Sequence, residues 1–297
     1  MSLLLLGSWD DAERDHWLAE LQKALPGEHW LVEARPGTEV EAAIVANPPP
    51  GSLQGLVGLR LIQSLWAGVD RLLQDDTLPP AVLLARMVDP AMNEAMVQTA
   101  LWAVMGLHRG FFDMQVQQRE HRWQAPQQRH ADEWRVLVLG QGELGGRVMQ
   151  TLAAQGYAAS GWSRRSGAVA PLLAEADTVI NLLPLTNQTR GFFNAARFAQ
   201  MKAGASLVNL ARGAHVVEAD LLQALASGQV RRAVLDVFAV EPLPADHPFW
   251  AQPQVTVLPH CAAQTDPRSA AAVVAANLRA LRAGQPLRYR VERGQGY

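Results

Sequence analysis

The stretch "RVLVLGQGELGGRV", residues 135–148, constrains the fold more than any other part of the chain. Val136 to Leu139 form an apolar run that reads as a buried strand. Gly140, Gly142 and Gly145 follow in the spacing G-x-G-x-x-G, and "GELGGRVMQTLAAQG" then has helical periodicity. A strand, a tight glycine turn and a helix, in that order, are what a dinucleotide-binding βαβ unit requires. Gly140 allows the turn. Gly142 removes a Cβ from the path of a pyrophosphate, and Gly145 lets helix and strand pack closely. With Glu143 and Leu144, these residues bring free N–H groups and the positive end of the helix dipole to the phosphates. A glycine-rich turn without a ligand is the alternative, which the flanking periodicity disfavours.

The rest of the chain repeats the same alternation. Before the turn, "LLLLG", "EAAIVA", "LRLIQSL" and "AVLLARM" read as strands, and "DDAERDHWLAELQKALPG" as a helix with Trp17, Leu18 and Leu21 on one side. After it, "YAASGWS", "DTVINLLPL", "ASLVNLA", "RRAVLDVF" and "QVTVLPH" read as strands, and "DPRSAAAVVAANLRALRAG" as a closing helix. Strands alternating with helices imply parallel sheets covered on both faces. Between the two series, Met92–Trp123 reads as one long helix interrupted only by Gly106 and Gly110. Its apolar sides would serve either a subunit interface or burial within one chain. The chain has 297 residues and is 49% hydrophobic, enough for two ordinary domains with real cores.

The residues after the second strand of the glycine-turn unit bear on cofactor choice. An NAD-preferring site holds the ribose 2′-hydroxyl with an acidic residue about 20 positions on. No Asp or Glu occurs from Tyr157 to Pro171, and the strand instead runs into Ser163, Arg164 and Arg165. A hydroxyl and two guanidiniums suit a 2′-phosphate, so NADP is the preferred cofactor and NAD a possible one. Two solvated arginines on a surface loop are the alternative.

Four polar groups follow three apolar strands of the second series: Arg212 in "NLARGAHV", Asp236 and Glu241 in "AVLDVFAVEPLP", and His260 in "VTVLPH". In an open parallel sheet, groups at the carboxyl ends of the strands converge on one edge. A cation, a carboxylate and an imidazole there suit reduction of a 2-oxo acid. A structural ion pair for Arg212, a turn cap for Glu241 and a satisfied structural histidine are the bland alternatives.

Here the chain resembles the D-isomer-specific 2-hydroxyacid dehydrogenase family. The ordered matches are "SLWAGVD", "VLGQGELGGRV", "NLLPLTNQTRGFFN", "LVNLARGAHVVEADLLQALASG", "LDVFAVEPLPADHPFW" and "LPHCAAQT". Within the family, "GWSRR", "NLARGAHVVE" and the terminal "GY" look most like the glyoxylate/hydroxypyruvate reductase A type. The resemblance implies His260 as general acid, Glu241 as its orienting partner, and Arg212 on the substrate carboxylate and carbonyl. It implies that Ala67, Gly68 and Val69 bind the carboxylate through backbone N–H groups, and that Asp236 faces the nicotinamide. Leu183, Pro184, Thr189 and Ala211 would line the cofactor groove. Trp66 stands where the reductase A pattern has glycine; it would narrow the substrate pocket, stack on a substrate side chain or pack away from the site.

The implied fold class is α/β, with two doubly wound parallel-sheet domains. A Rossmann NAD(P)-binding domain (98–267) is inserted into a flavodoxin-like substrate domain (1–97, completed by 268–297), with a cleft between them and crossing helices near 93–119 and 268–283 as the hinge. The implied activity is NADPH-dependent reduction of small 2-oxo acids such as glyoxylate or hydroxypyruvate, by a homodimer. A bulkier 2-oxo acid, or a non-catalytic dinucleotide sensor on this scaffold, are the other readings. A net charge of −2 favours neither nucleic acid nor anionic membrane as a partner. No His, Cys and Asp set has metal-ligand spacing, so no metal is expected. The only cysteine is Cys261, which excludes an intrachain disulfide; together with the lack of a signal segment, this leads us to expect a cytoplasmic protein.

Overall fold

Short apolar runs build the first sheet. In chain order the elements are β1 (Ser2–Gly7), α1 (Asp11–Ala24), β2 (Trp30–Leu31), β3 (Val40–Ala46), β4 (Leu61–Ser64), the one-turn α2 (Asp70–Leu73) and β5 (Leu83–Ala85). The strands pair in parallel in the order β2-β1-β3-β4-β5. β3 is buried along its whole length, as a strand covered on both faces must be. α1 starts where the Asp10 side chain accepts from Glu13 N–H, and it turns Trp17 and Leu21 into the core. The computed structural model describes residues 2–295; the terminal Gly296-Tyr297 pair lies outside the described residues.

The stretch expected as one long helix is two, α3 (Pro90–His108) and α4 (Phe111–Arg119). Gly110 separates them in the left-handed conformation, φ 73°. Phe112 then folds back onto Gly106, where an added Cβ would lie 2.5 Å from the ring. The two glycines that interrupt the periodicity are thus the joint itself.

The second sheet follows with β6 (Arg135–Leu139), α5 (Glu143–Ala154), β7 (Ala158–Trp162), α6 (Ala170–Glu175), β8 (Thr178–Asn181), α7 (Ala195–Ala199), β9 (Ala205–Asn209), α8 (Glu218–Ala226), β10 (Val230–Leu235) and β11 (Val255–Val257). All six strands are parallel, in the order β11-β10-β9-β8-β6-β7. Chain direction along the sheet reverses between β6 and β8, so a crevice opens beyond their carboxyl ends.

The chain divides into two compact units, one of residues up to 92 with those from 265 onward, the other of residues 93–264. Both are α/β units with parallel sheets, as the alternation of strand and helix predicts. α9 (Pro267–Arg282) completes the first unit. Its Ala270, Val274, Leu278 and Leu281 share a core with Leu3, Leu5, Ala42 and Ile44. Arg282 bonds both Glu28 and the buried Glu41, and those two hydrogen bonds hold its guanidinium more basic than usual. Asn277 donates to Gln63 inside the same core, at 2.7 Å. Among the described residues, no helix is long and apolar enough to cross a membrane, and no cluster of three or more His, Cys, Asp or Glu could hold a metal ion.

Candidate active site

The glycine turn is the first part of the site. Gly140 has φ 98°, and a Cβ on it would meet the Leu182 carbonyl oxygen at 2.6 Å. The turn therefore lies directly against the exit of β8, at the switch point of the sheet. Gly145 packs on Gly140 so closely that a Cβ would overlap its carbonyl. Gly142 is different. Its φ of −76° suits any residue, and no protein atom lies within 4 Å of where its Cβ would be. Neither backbone conformation nor packing demands glycine there, and the space a Cβ would take is open to a ligand at the helix N-terminus. No side chain caps α5 at Gly142, so the first-turn N–H groups face that open space. Glu143 turns aside to pair with Arg147 at 2.9 Å, and Leu144 packs against the core. These residues fit a pyrophosphate.

The exit of β7 fits the adenosine end. Ser163, Arg164 and Arg165 stand on a short 3-10 turn, with both arginines exposed. Ser163 Oγ lies 3.1 Å from Ser166 Oγ, and Arg164 Nη1 donates to Gln188 Oε1 at 2.7 Å. Gln188 comes from the loop after β8. That loop is tied down by Thr189, whose hydroxyl donates to the Pro184 carbonyl at 2.7 Å and accepts from Thr186 N–H at 2.8 Å. Leu183 is buried in the core below it, and Pro184 is half-buried.

The candidate reacting groups Arg212, Glu241 and His260 follow β9, β10 and β11, so parallel pairing places them on the edge that carries the glycine turn. His260 Nδ1 lies 2.8 Å from Glu241 Oε2. Glu241 Oε1 accepts from Phe238 N–H at 2.9 Å, so the carboxylate fixes its own loop and the imidazole together. The hydrogen bond to Glu241 raises the basicity of His260 above the ordinary value of 6.5. Burial works against this; the Glu241 and Asp236 charges assist and the Arg212 charge opposes. Burial pushes the Glu241 carboxyl up, but the bonds from His260 and Phe238 N–H, with the charges of His260 and Arg212, hold it below its usual range. Arg212 thus acts electrostatically on both members of the pair.

Local backbone explains why His260 points where it does. Its φ is 53°, a left-handed conformation that costs a non-glycine residue about 1–3 kcal/mol. Asp236 holds the turn. Its carbonyl accepts from His260 N–H at 2.9 Å, and its carboxylate accepts from Cys261 N–H at 2.7 Å and from Ala262 N–H at 3.1 Å. Burial raises the Asp236 pKa despite those bonds. Arg212 Nη1 donates to the Ala211 carbonyl at 2.7 Å. Gly213 then passes so close to Phe238 that a Cβ would lie 1.9 Å from its carbonyl carbon. That close pass brings the Arg212 loop against the Glu241 loop.

In the first unit, the loop Trp66 to Val69 leads into α2. The Trp66 ring meets Trp17 edge-on at 6.2 Å, and Trp17 stacks on Trp9 at 6.5 Å. Of the three placements open to Trp66, its packed side is within a tryptophan cluster of its own unit. Sequence reasoning passed over His215, which is fully buried and bonded to Asn181 and Pro184. The visible signal was an asparagine ending each of the apolar strands "TVIN" and "SLVN".

Comparison with known proteins follows the same lines. The family model "D-isomer specific 2-hydroxyacid dehydrogenase, NAD binding domain" matches residues 101–262. The chain is 40% identical to glyoxylate/hydroxypyruvate reductase A of Serratia proteamaculans, over 91% of this chain and 92% of that protein. It is 38% identical to the Yersinia enterocolitica protein of the same name, over 92% and 93%. Among solved structures, a D-isomer specific 2-hydroxyacid dehydrogenase of Xanthobacter autotrophicus, in complex with NADPH and MES, superposes with a TM-score of 0.93 at 38% identity, covering 100% of this chain and 99% of that one. An NADPH-dependent glyoxylate/hydroxypyruvate reductase of Sinorhizobium meliloti, in complex with NADP and sulfate, gives a TM-score of 0.93 at 29% identity, covering 100% of both chains.

Proposed function

We propose, from the premise that this chain belongs to the D-isomer specific 2-hydroxyacid dehydrogenase family, that it reduces small 2-oxo acids, such as glyoxylate and hydroxypyruvate, with NADPH. The observation that carries the reading is the 2.8 Å His260–Glu241 pair, within the field of Arg212 and on the sheet edge of an uncapped glycine turn.

Each residue has a role in that reaction. A bound reduced nicotinamide would supply the hydride. Arg212 binds the substrate carboxylate and draws electron density toward the carbonyl oxygen. His260 carries the one proton the reaction needs besides the hydride. With Nδ1–H directed at Glu241, its Nε2–H is the donor to that oxygen as the carbon accepts hydride, and the product is the 2-hydroxy acid. In the reverse direction neutral His260 takes the proton back. The backbone N–H groups of Ala67, Gly68 and Val69 are further carboxylate donors. Asp236 keeps its place on the nicotinamide side and holds the His260 turn. Leu183, Pro184, Thr189 and Ala211 line the groove for the cofactor, and the turn from Gly140 to Gly145 holds its pyrophosphate. A purely sensory role would not require the Glu241–His260 pairing.

The test is NADPH oxidation on adding glyoxylate, hydroxypyruvate or larger 2-oxo acids. Turnover with the two small acids is expected, and NADPH binding without any turnover would refute the reading. Cofactor choice is tested in the same assay. Arg164→Ala with Arg165→Ala should weaken NADPH about tenfold or more, through loss of charge-assisted bonds to the 2′-phosphate. NADH should change little, and equal losses with both cofactors would remove these arginines from the 2′-phosphate site.

The protein acts as a homodimer in this proposal, through the unit of residues 93–264. Trp102, Met105 and Phe111 leave apolar rings and side chains exposed on α3 and α4, consistent with such a contact. Light scattering should give the mass of two chains, and Trp102→Glu should shift it toward one. A monomeric wild type would end this part of the proposal. The same reading places the protein in the cytoplasm, where the lone thiol of Cys261 stays reduced.

A further inference from the structure

Asn181 and Asn209 end β8 and β9 directly opposite each other in the parallel register. Both are fully buried, and so is His215. The three side chains form one chain of hydrogen bonds. Asn181 Nδ2 donates to Asn209 Oδ1 at 2.9 Å and to His215 Nδ1 at 3.0 Å. With Nδ1 accepting, the His215 proton sits on Nε2, which donates to the Pro184 carbonyl at 3.3 Å. Asn181 Oδ1 accepts from Leu183 N–H at 3.2 Å. At the other end, Asn209 Oδ1 accepts from Ala211 N–H at 3.3 Å, and Asn209 Nδ2 donates to the Arg212 carbonyl at 3.0 Å.

The backbone these bonds fix is not general scaffold. One end holds Leu183 and Pro184, the start of the loop that carries Thr189 and Gln188 beside the cofactor groove. The other holds Ala211 and Arg212. Polar groups buried this deeply stay where their partners are, because any displacement leaves an unpaired donor or acceptor away from water. We infer that Asn181, Asn209 and His215 are positioning residues. The Asn209 end sets the substrate arginine, and the His215 end sets the cofactor loop. The inference rests on the reductase reading for what Arg212 binds.

Two isosteric or volume-conserving changes separate the ends. Asn209→Asp keeps an acceptor for Ala211 N–H but turns an oxygen, instead of a donor, toward the Arg212 carbonyl. Misplacing a substrate-binding group by about 1 Å can reduce rate by up to about a hundredfold. Asn209→Asp is therefore expected to lower kcat/KM for glyoxylate, and affinity for the non-reducible analogue oxalate, by about tenfold to a hundredfold. NADPH affinity, read by its fluorescence, should fall less than oxalate affinity, since the bonds that hold Leu183 N–H and the Pro184 carbonyl do not involve Asn209 and an acceptor for Ala211 N–H is kept. His215→Leu is close to the imidazole in volume and makes neither the bond to Asn181 nor that to the Pro184 carbonyl. It should raise the NADPH dissociation constant about fivefold or more while oxalate affinity at saturating NADPH changes less. Melting temperatures are measured alongside. If Asn209→Asp does not fold, Asn209→Ser, which keeps a small acceptor, takes its place in the same comparison.

A split between substrate and cofactor along these lines supports the inference. Parallel loss of both affinities, or loss of neither, overturns it. A wild type that binds NADPH and oxalate but turns over no 2-oxo acid would sink the reductase reading alone, because the two binding measurements still decide the network. A wild type that binds neither ligand removes both.

Discussion

Replacing His260 with Gln is expected to lower kcat/KM for 2-oxo acid reduction by about 10²–10⁴ while leaving NADPH binding intact. Gln can still accept or donate a hydrogen bond near the carbonyl, but it cannot deliver a proton. The pH dependence gives an independent check. Reduction needs the protonated imidazole, and the Glu241 hydrogen bond raises the His260 pKa above 6.5. Activity should therefore hold at low pH and fall as pH rises through that raised value. Without the carboxylate, the imidazolium loses its main support, so Glu241→Gln should move the falling limb to lower pH. Rate profiles of wild type and Glu241→Gln, taken with glyoxylate at saturating NADPH, measure this. Coincident limbs would show that the pair does not set the proton donor.

Arg212→Lys should be nearly as damaging, with a loss of about 10²–10³ in kcat/KM. Lysine keeps the charge but loses the planar fork, and with it simultaneous contact to carboxylate and carbonyl. Nη1 of the guanidinium donates to the Ala211 carbonyl, whereas an ammonium is a point charge on a flexible stem. A rise in KM for the oxo acid together with a fall in kcat is the expected pattern. Steady-state kinetics with NADPH titrations check it, and a variant with near wild-type turnover would remove Arg212 from the substrate site.

Much of this was readable from residue order. Parallel strands buried on both faces leave continuous apolar runs, and β1, β3, β6, β9 and β10 were visible as such. The glycine turn was legible because its spacing follows an apolar strand and opens a helix, and two of its three glycines, Gly140 and Gly145, meet steric demands in the fold. His260, Glu241 and Arg212 stood out because they follow three apolar strands in the order of the family motifs, whereas each alone had a structural alternative. What escaped was set by contacts distant in sequence. The exception is the break between α3 and α4, which is local: Gly110 turns left-handed and Phe112 packs on Gly106. The left-handed backbone of His260 depends on Asp236, 24 positions earlier by residue number and captured from a neighbouring strand. His215 carried no local signal, because its bonding partners Asn181 and Pro184 arrive from β8 and the loop after it. The packing of Trp66 on Trp17 joins a strand end to a helix face that no local pattern pairs.

The contribution of α9 to the core of the first unit has a consequence for synthesis. β1 and α1 leave the ribosome early, but the helix that covers Leu3, Leu5 and Ile44 is encoded more than two hundred residues later. At about 5–20 residues per second, that interval is on the order of tens of seconds. The contiguous 93–264 segment can close on itself during that wait, whereas the leading sheet stays half-clad until translation is almost done. Until residues 267–282 have emerged, the amino-terminal sheet lacks the helix that covers Leu3, Leu5 and Ile44, so that apolar face of the nascent chain stays open to chaperones.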